Sequence, residues 1–189
     1  IFSLLLTVFS VSIITSCNSI PGRAPLRVGV SADYPPVIFK EQGQYKGIEA
    51  DLARALGKEL ARKVEFVEMN WTSLIPALQR SKVDIIMSGM SITPERSRQV
   101  LFTESYFQIS QMLLVRRSEA GRFLRPGKKY YVKSGIIVGV ERGTTGEQLA
   151  AKHLPGQRIR SFNSVEEGKA ALKRGDINCF VHDAPTIWQ

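Results

Sequence analysis

The chain has 189 residues, 43% of them apolar and 23% charged, with a formal charge of +9 at neutral pH. This balance is that of a globular protein and excludes a disordered or collagen-like chain. All the charge lies beyond Ser16, and most of the cations are scattered (Arg54, Lys58, Arg62, Lys63, Arg80, Lys82), with local knots at 116–117 and 128–133. A nucleic-acid face would interleave a stripe of Lys and Arg with aromatics, and none is present in the sequence. The cations read as a solvated surface, with attraction to an anionic envelope as the sharper alternative.

Residues 1–15 are nearly all apolar but too short for a membrane-spanning helix, which needs about 20 residues. They read as the hydrophobic region of a secretory signal. The segment ends Ile14-Thr15-Ser16-Cys17. An apolar residue and two small ones before a cysteine resemble a bacterial lipobox, which makes Cys17 the expected lipidation site and mature N-terminus. Residues 1–16 are then the signal and 17–25 a tether that anchors the protein by lipid to a membrane, in the periplasm or at the cell surface. An ordinary cleaved signal with an incidental cysteine is the alternative. Cys179, the one other cysteine, sits in an apolar run and reads as a buried small hydrophobe. With Cys17 acylated no disulfide forms, and stability rests on core packing.

Structure is expected to start at Leu26. Residues 26–30 read as a strand, 32–36 and 42–43 as turns. Ile48, Leu52, Leu56 and Leu60 recur every four residues and predict a helix with that stripe facing inward. A strand follows at 64–67, then a helix capped by Asn70 and running to Leu78, with Pro76 early enough to be tolerated. Residues 83–87 form a continuous apolar run that predicts a buried strand. Strand, helix, strand, helix, strand is the pattern of a parallel α/β sheet. The second half repeats it: strands at 136–140, 158–162 and 177–181, with helices opened by the capping boxes Thr144-x-x-Glu147 and Ser164-x-x-Glu167. Between the halves, 101–115 is rich in β-branched and aromatic residues and suits strands that cross between two lobes. The expected domains are therefore lobe one at 26–107 and lobe two at 108–189, with a cleft between them.

In open α/β sheets ligands bind beyond the carboxyl ends of the strands, which directs attention to the loops at 32–36, 88–96, 142–146 and 182–185. The loop from Ser88 to Arg96 offers closely approachable backbone at Gly89, the hydroxyls of Ser88 and Ser91, and a guanidinium. Arginine suits a carboxylate because its planar fork donates two parallel, charge-assisted hydrogen bonds. Arg142 to Gly146 opens a helix, where backbone N–H groups favour an anion. Asp183, just past a strand, is a fixed negative charge fit for an ammonium. Together these groups describe a zwitterion.

The motifs Tyr34-Pro35-Pro36, Gly47-Ile48-Glu49-Ala50-Asp51-Leu52, Leu74-Ile75-Pro76-Ala77-Leu78, the run from Asp84 to Arg96, Gly143-Thr144-Thr145 and His182-Asp183-Ala184-Pro185 resemble, in order, the polar amino-acid-binding proteins of ABC importers, bacterial extracellular solute-binding protein family 3. The resemblance implies an α/β, two-lobed periplasmic-binding-protein fold of type II, with lobe one incomplete at the C-terminal end of this sequence. It implies that Arg96 clamps the ligand α-carboxylate with the Thr145 amide and the Ser91 hydroxyl. Asp183 and the Gly89 carbonyl then hold the α-ammonium, and Tyr34 lies against the ligand side chain. Ser88 and Thr144 flank these groups. Glu141 lines the side-chain space from lobe two and would suit a cationic side chain; pointing to solvent beside Arg142 is the alternative. Val37 stands where relatives often carry an aromatic, which leaves a roomier pocket.

The implied partners are a free amino acid, an ABC permease in the membrane, and the membrane itself through the lipid anchor, with a monomeric protein, no nucleic acid and no cofactor or metal. Hinge closure requires no covalent chemistry, so no catalytic residue is expected. The rival is a periplasmic dehydratase-like enzyme on the same scaffold, which needs an acid or base near the ligand. Glu141, His182 or Asp183 could supply one, but no nucleophile triad, metal-ligand cluster or phosphate loop is evident.

Overall fold

A computed structural model describes residues 23–123, 135–154 and 156–188; Cys17 and the signal lie outside them. The first strand, β1 (Leu26–Val30), is followed by a small antiparallel unit of β2 (Asp33–Tyr34), β3 (Ile38–Glu41) and β4 (Gln44–Lys46). Helix α1 (Ile48–Glu59) leads to β5 (Val64–Glu68), and α2 (Leu74–Gln79) leads to β6 (Ile85–Ile86). Strand β1 lies between β5 and β6, both parallel to it. Its inward residues Val28 and Val30 are fully buried, in a core with Leu26, Ile38, Ala50 and Ala53.

After the short helix α3 (Pro94–Ser97) the chain runs through 98–110 without regular structure and enters a second sheet at β7 (Gln111–Val115). That sheet is completed by β8 (Ile137–Glu141), α4 (Thr145–His153), β9 (Arg158–Phe162), α5 (Val165–Arg174), β10 (Cys179–Asp183) and α6 (Ala184–Ile187). Its order is β7-β10-β8-β9, with β7 antiparallel and the other neighbours parallel. One core cluster holds Ile136, Val138, Val140, Ala150, Cys179 and Val181, and another holds Phe162, Val165, Leu172, Ile177 and Phe180. Burial pushes the Cys179 thiol up to about 12, so it packs as an apolar group.

Both capping boxes of the second half form. The Thr144 hydroxyl accepts the Glu147 amide at 3.3 Å, and the Ser164 hydroxyl accepts the Glu167 amide at 3.3 Å. The two glutamates reach back to the amides of Gly143 at 2.7 Å and Asn163 at 3.0 Å. Helix α5 starts where its capping box predicts and ends at Gly175 in the left-handed conformation that glycine tolerates.

Four expectations need correction. The α1 stripe does not face inward: Ile48 is 53% and Leu52 41% exposed, while Glu49, Ala50, Ala53 and Gly57 are buried. A spacing of four drifts about 40° per step around a helix of 3.6 residues per turn, and the small residues win the close contact. Leu56 is half-buried against the core, and Leu52 and Leu56 border an apolar groove shared with Leu78, Ile85, Ile86 and Leu101. Asn70 makes no side-chain cap; Trp71–Ser73 forms a 3₁₀ turn before α2. The strand expected over 83–87 is only Ile85–Ile86, because β6 pairs along two residues of β1. The turn-rich 32–36 segment contributes β2 to a hairpin unit that no hydrophobic alternation announced.

The close approach of α1 is testable. A Cβ at Gly57 would lie 2.5 Å from Val64 Cγ2 and 2.9 Å from the Arg62 carbonyl. Gly57→Ala is therefore expected to lower the urea unfolding free energy by about 1–3 kcal/mol, against the roughly 1 kcal/mol gain that alanine brings to an unhindered helix interior.

Candidate functional site

The carboxyl ends of the two sheets face one another across a partly open cavity. All nine sequence-predicted binding residues, Tyr34, Ser88, Gly89, Ser91, Arg96, Glu141, Thr144, Thr145 and Asp183, line it. They arrive from six places in the chain: the β2 hairpin, the loop after β6, α3, the end of β8, the start of α4 and the end of β10.

Arg96 is the dominant charge. It is 6% exposed, on α3, whose N-cap Thr93 accepts the Arg96 amide at 3.3 Å. Its guanidinium donates from Nη1 to the Ser91 carbonyl at 2.8 Å and from Nη2 to the Gly143 carbonyl at 2.9 Å, and it lies over the Trp71 ring at 5.1 Å. Among the described residues no carboxylate is within salt-bridge distance of it; Glu95 pairs with Arg98 instead. Desolvation accordingly pulls its pKa down, opposed by the more distant Asp183 and Glu95.

Across the cavity Asp183 stands at the end of β10. It occupies the N-cap position of α6 without making a side-chain cap bond. Its Oδ2 accepts the Tyr34 hydroxyl at 2.7 Å, and its Oδ1 accepts the Gln111 amide, which also donates to the Thr145 hydroxyl at 3.0 Å. Burial, with Asp183 beside it, pushes the Tyr34 hydroxyl well above the usual phenol range. Gly89 presses against the same ring. It has φ of +64°, and a Cβ there would lie 2.4 Å from Tyr34 Cε1, so the position accepts only glycine without rearrangement.

Glu141 is 5% exposed, lines the cavity and meets His182 Nε2 at 2.9 Å, so it does not point to solvent beside the exposed Arg142. Burial raises its pKa, His182 opposes the shift, and Asp33 and Asp183 reinforce it. His182 is itself 6% exposed, stacked on Phe180 and edge-on to Tyr34.

Two predicted groups already have internal work. The Ser88 hydroxyl accepts the Ser31 amide at 2.9 Å and ties the ends of β6 and β1 together. The Thr144 hydroxyl donates to the Glu141 carbonyl at 2.7 Å while capping α4.

Ser31, Asp33, Trp71, Val165 and His182 also line the cavity, and Gln111 touches Asp183 and Thr145. Trp71 and Val165 follow β5 and β9, so the strand-end rule that drew attention to the other loops would have found them. Gln111 enters through the antiparallel pairing of β7 with β10, which has no local sequence signal.

The sequence model of bacterial extracellular solute-binding proteins, family 3, matches residues 26–179, and the chain belongs to that family. It is 32% identical over 166 residues to the L-arginine-binding protein of Pseudomonas aeruginosa, covering 86% of this chain and 62% of the relative. The crystal structure of the ancestral amino acid-binding protein AncCDT-1, a precursor of cyclohexadienyl dehydratase, is similar with a TM-score of 0.78 and 43% identity, over 86% of this chain and 71% of that one. An ancestral arginine-binding protein bound to glutamine matches at a TM-score of 0.77 and 37% identity, over 88% and 72%. The fold is thus the two-lobed α/β fold of type II periplasmic binding proteins, with the N-terminal sheet in one lobe and the C-terminal sheet in the other.

The raised pKa of Glu141 gives a signed expectation. A carboxyl whose folded-state pKa is raised contributes stability below its unfolded value, about 4.5, and loses it as pH rises through the folded one. Unfolding free energies measured against pH should therefore show wild type losing ground to Glu141→Gln as pH rises from about 4.5.

Proposed function

We propose that the protein binds a free α-amino acid between its lobes, as the solute-binding component of an ABC importer, with a preference for a cationic side chain. The observation that carries this reading is the buried Arg96 guanidinium with no carboxylate in salt-bridge range among the described residues. A ligand carboxylate supplies what burial has taken from that charge. In this reading Arg96, the Thr145 amide at the start of α4 and the Ser91 hydroxyl hold the carboxylate. Asp183 and the Gly89 carbonyl hold the ammonium, and Tyr34 covers the ligand side chain. The relatives named for arginine, histidine and glutamine support the substrate class, although this chain spans 62% of the arginine-binding relative.

The side-chain preference follows from charge. Asp33, Glu141 and Asp183 line the cavity with Arg96 and His182. Once Asp183 has the ammonium and Arg96 the carboxylate, Asp33 and Glu141 remain against one imidazole, which favours a cation such as arginine or lysine. Closure of the lobes on the ligand would then present the form a permease reads.

The Glu141–His182 pair, with the likeness to a precursor of a dehydratase, favours a dehydratase-like enzyme as the second reading, since a carboxyl of raised pKa beside an imidazole can move a proton. The zwitterion-shaped set of Arg96 and Asp183 favours the binder. Calorimetry across the common amino acids and prephenate-like acids separates them: a binder gives a saturable heat, an enzyme a continuing one. Arg96→Ala is expected to weaken binding by about a hundredfold or more with the fold retained, since charge-assisted bonds are worth about 1.5–3 kcal/mol each. Unchanged affinity would remove the assignment. Tight glutamate binding, or arginine binding indifferent to Glu141→Gln, would remove the cationic preference.

We also propose that Cys17 carries a lipid and that the protein works as a monomer tethered to the membrane. The mass of the mature N-terminus checks the anchor: a diacylglyceryl cysteine is expected, and an unmodified residue there would refute it.

A further inference from the structure

Glu49, buried beneath the ligand-facing loop, has no role in the reading above. It is 0% exposed, the second residue of α1, and no Lys or Arg pairs with it among the described residues. A carboxylate in such a place must be satisfied by hydrogen bonds. Its Oε2 accepts the Gly89 amide at 2.7 Å, and its Oε1 accepts the Tyr106 hydroxyl. Burial raises the pKa of Glu49, and the two donors pull it back. The Tyr106 hydroxyl is pushed up by its own burial and by the carboxylate it serves.

The two donors belong to different parts of the binding machinery. The Gly89 amide fixes the Ser88–Gly89 peptide plane at the cavity wall, at the positive φ where Gly89 presses on Tyr34. Tyr106 lies in 98–110, the connection from α3 to β7 and so from one lobe to the other. Phe107 and Ile109 of that connection pack on the N-terminal core, and Tyr106 stacks edge-on with Phe107 at 5.0 Å. The connection and the binding loop face each other across a second cleft lined by Gly89, Met90, Ser91, Ile92, Tyr106 and Phe107.

We propose that Glu49 is a positioning residue that ties the Gly89 turn to the interlobe connection, so that a carboxylate outside the cavity sets how long the closed form holds its ligand. The inference rests on amino-acid binding in the cavity. A change in the path of 98–110 as the lobes move shifts Tyr106. The shared carboxylate then transmits the shift to the peptide that shapes the cavity wall. Conversely, a ligand held against Gly89 stabilises the arrangement of the connection that keeps Tyr106 on Glu49.

The test uses Tyr106→Phe, Glu49→Gln and Glu49→Ala in the full chain, with arginine as the probe. Tyr106→Phe removes one oxygen from a half-exposed side chain, so it is expected to fold, with a lowered melting temperature because the buried Glu49 carboxylate loses one of its two donors. Stopped-flow binding should show koff raised by about tenfold, the worth of a hydrogen bond to a charged acceptor, with kon unchanged. Glu49→Gln, which can still accept the Gly89 amide, should fall between wild type and Glu49→Ala. In the ligand-free protein the Gly89 amide resonance should move in Tyr106→Phe, and move likewise in Glu49→Gln, because both groups bond the same carboxylate. Wild-type koff and an unmoved Gly89 amide in Tyr106→Phe would overturn the proposal, even with a lowered melting temperature. If arginine fails to bind the wild type, the amino-acid reading is what fails, and the Gly89 resonance still decides whether the tie exists.

Discussion

A guanidinium removed from water must recover its lost hydration from its surroundings, and the cleft is organised around that requirement at Arg96. Two backbone carbonyls and the Trp71 face supply part of it. The Gly143 carbonyl that accepts from Arg96 also accepts the Trp71 indole at 3.1 Å. Arg96 and Trp71 belong to the N-terminal lobe and Gly143 to the C-terminal one, so the same contacts that hold the cation join the lobes. Carbonyl dipoles are partial charges, and among the described residues they leave a full positive charge without a formal counterion. That is the electrostatic opening into which a carboxylate fits.

The other side of the cleft is built from hydrogen bonds that are shared rather than simply paired. Asp183 takes Tyr34 from the opposite lobe and Gln111 from the neighbouring strand, and Gln111 reaches on to Thr145. Such a chain fixes each group through the next, so an oxygen or nitrogen arriving between them meets donors and acceptors already aimed. The apolar part of the site is equally constrained: Gly89 is small because Tyr34 occupies the space a Cβ would need. Glu141 meets His182 through Nε2, while the buried Nδ1 of His182 has no partner among the described residues, and the carboxyls of Asp33, Glu141 and Asp183 line the same cavity.

Much of this was legible in the sequence because helix starts and strand ends are local. The capping boxes at Thr144 and Ser164 announce α4 and α5 through side chains three residues apart, and both form. The parallel strand pattern located the carboxyl-end loops, and the nine predicted residues meet at one cavity. What failed was orientation and pairing. The leucine stripe of α1 was as regular as any in the chain, yet Ala53 and Gly57 turn inward because small side chains let the helix lie against Val64. The β2–β4 hairpins carry too few residues for alternation to show.

Local pattern in the sequence carries the alternation of strands and helices outside the β2–β4 unit, both capped helices and nine of the residues that line the cleft, because each depends on neighbours a few positions apart or on an ordered series of motifs. Only the tertiary structure decided which charges are paired. Glu141 meets His182 from a strand 41 residues away, and Glu49 joins Gly89 and Tyr106 across separations of 40 and 57 residues. Those partnerships depend on how β8 aligns with β10 and how α1 lies beneath the loop after β6. Register and packing set them, and no local pattern encodes either.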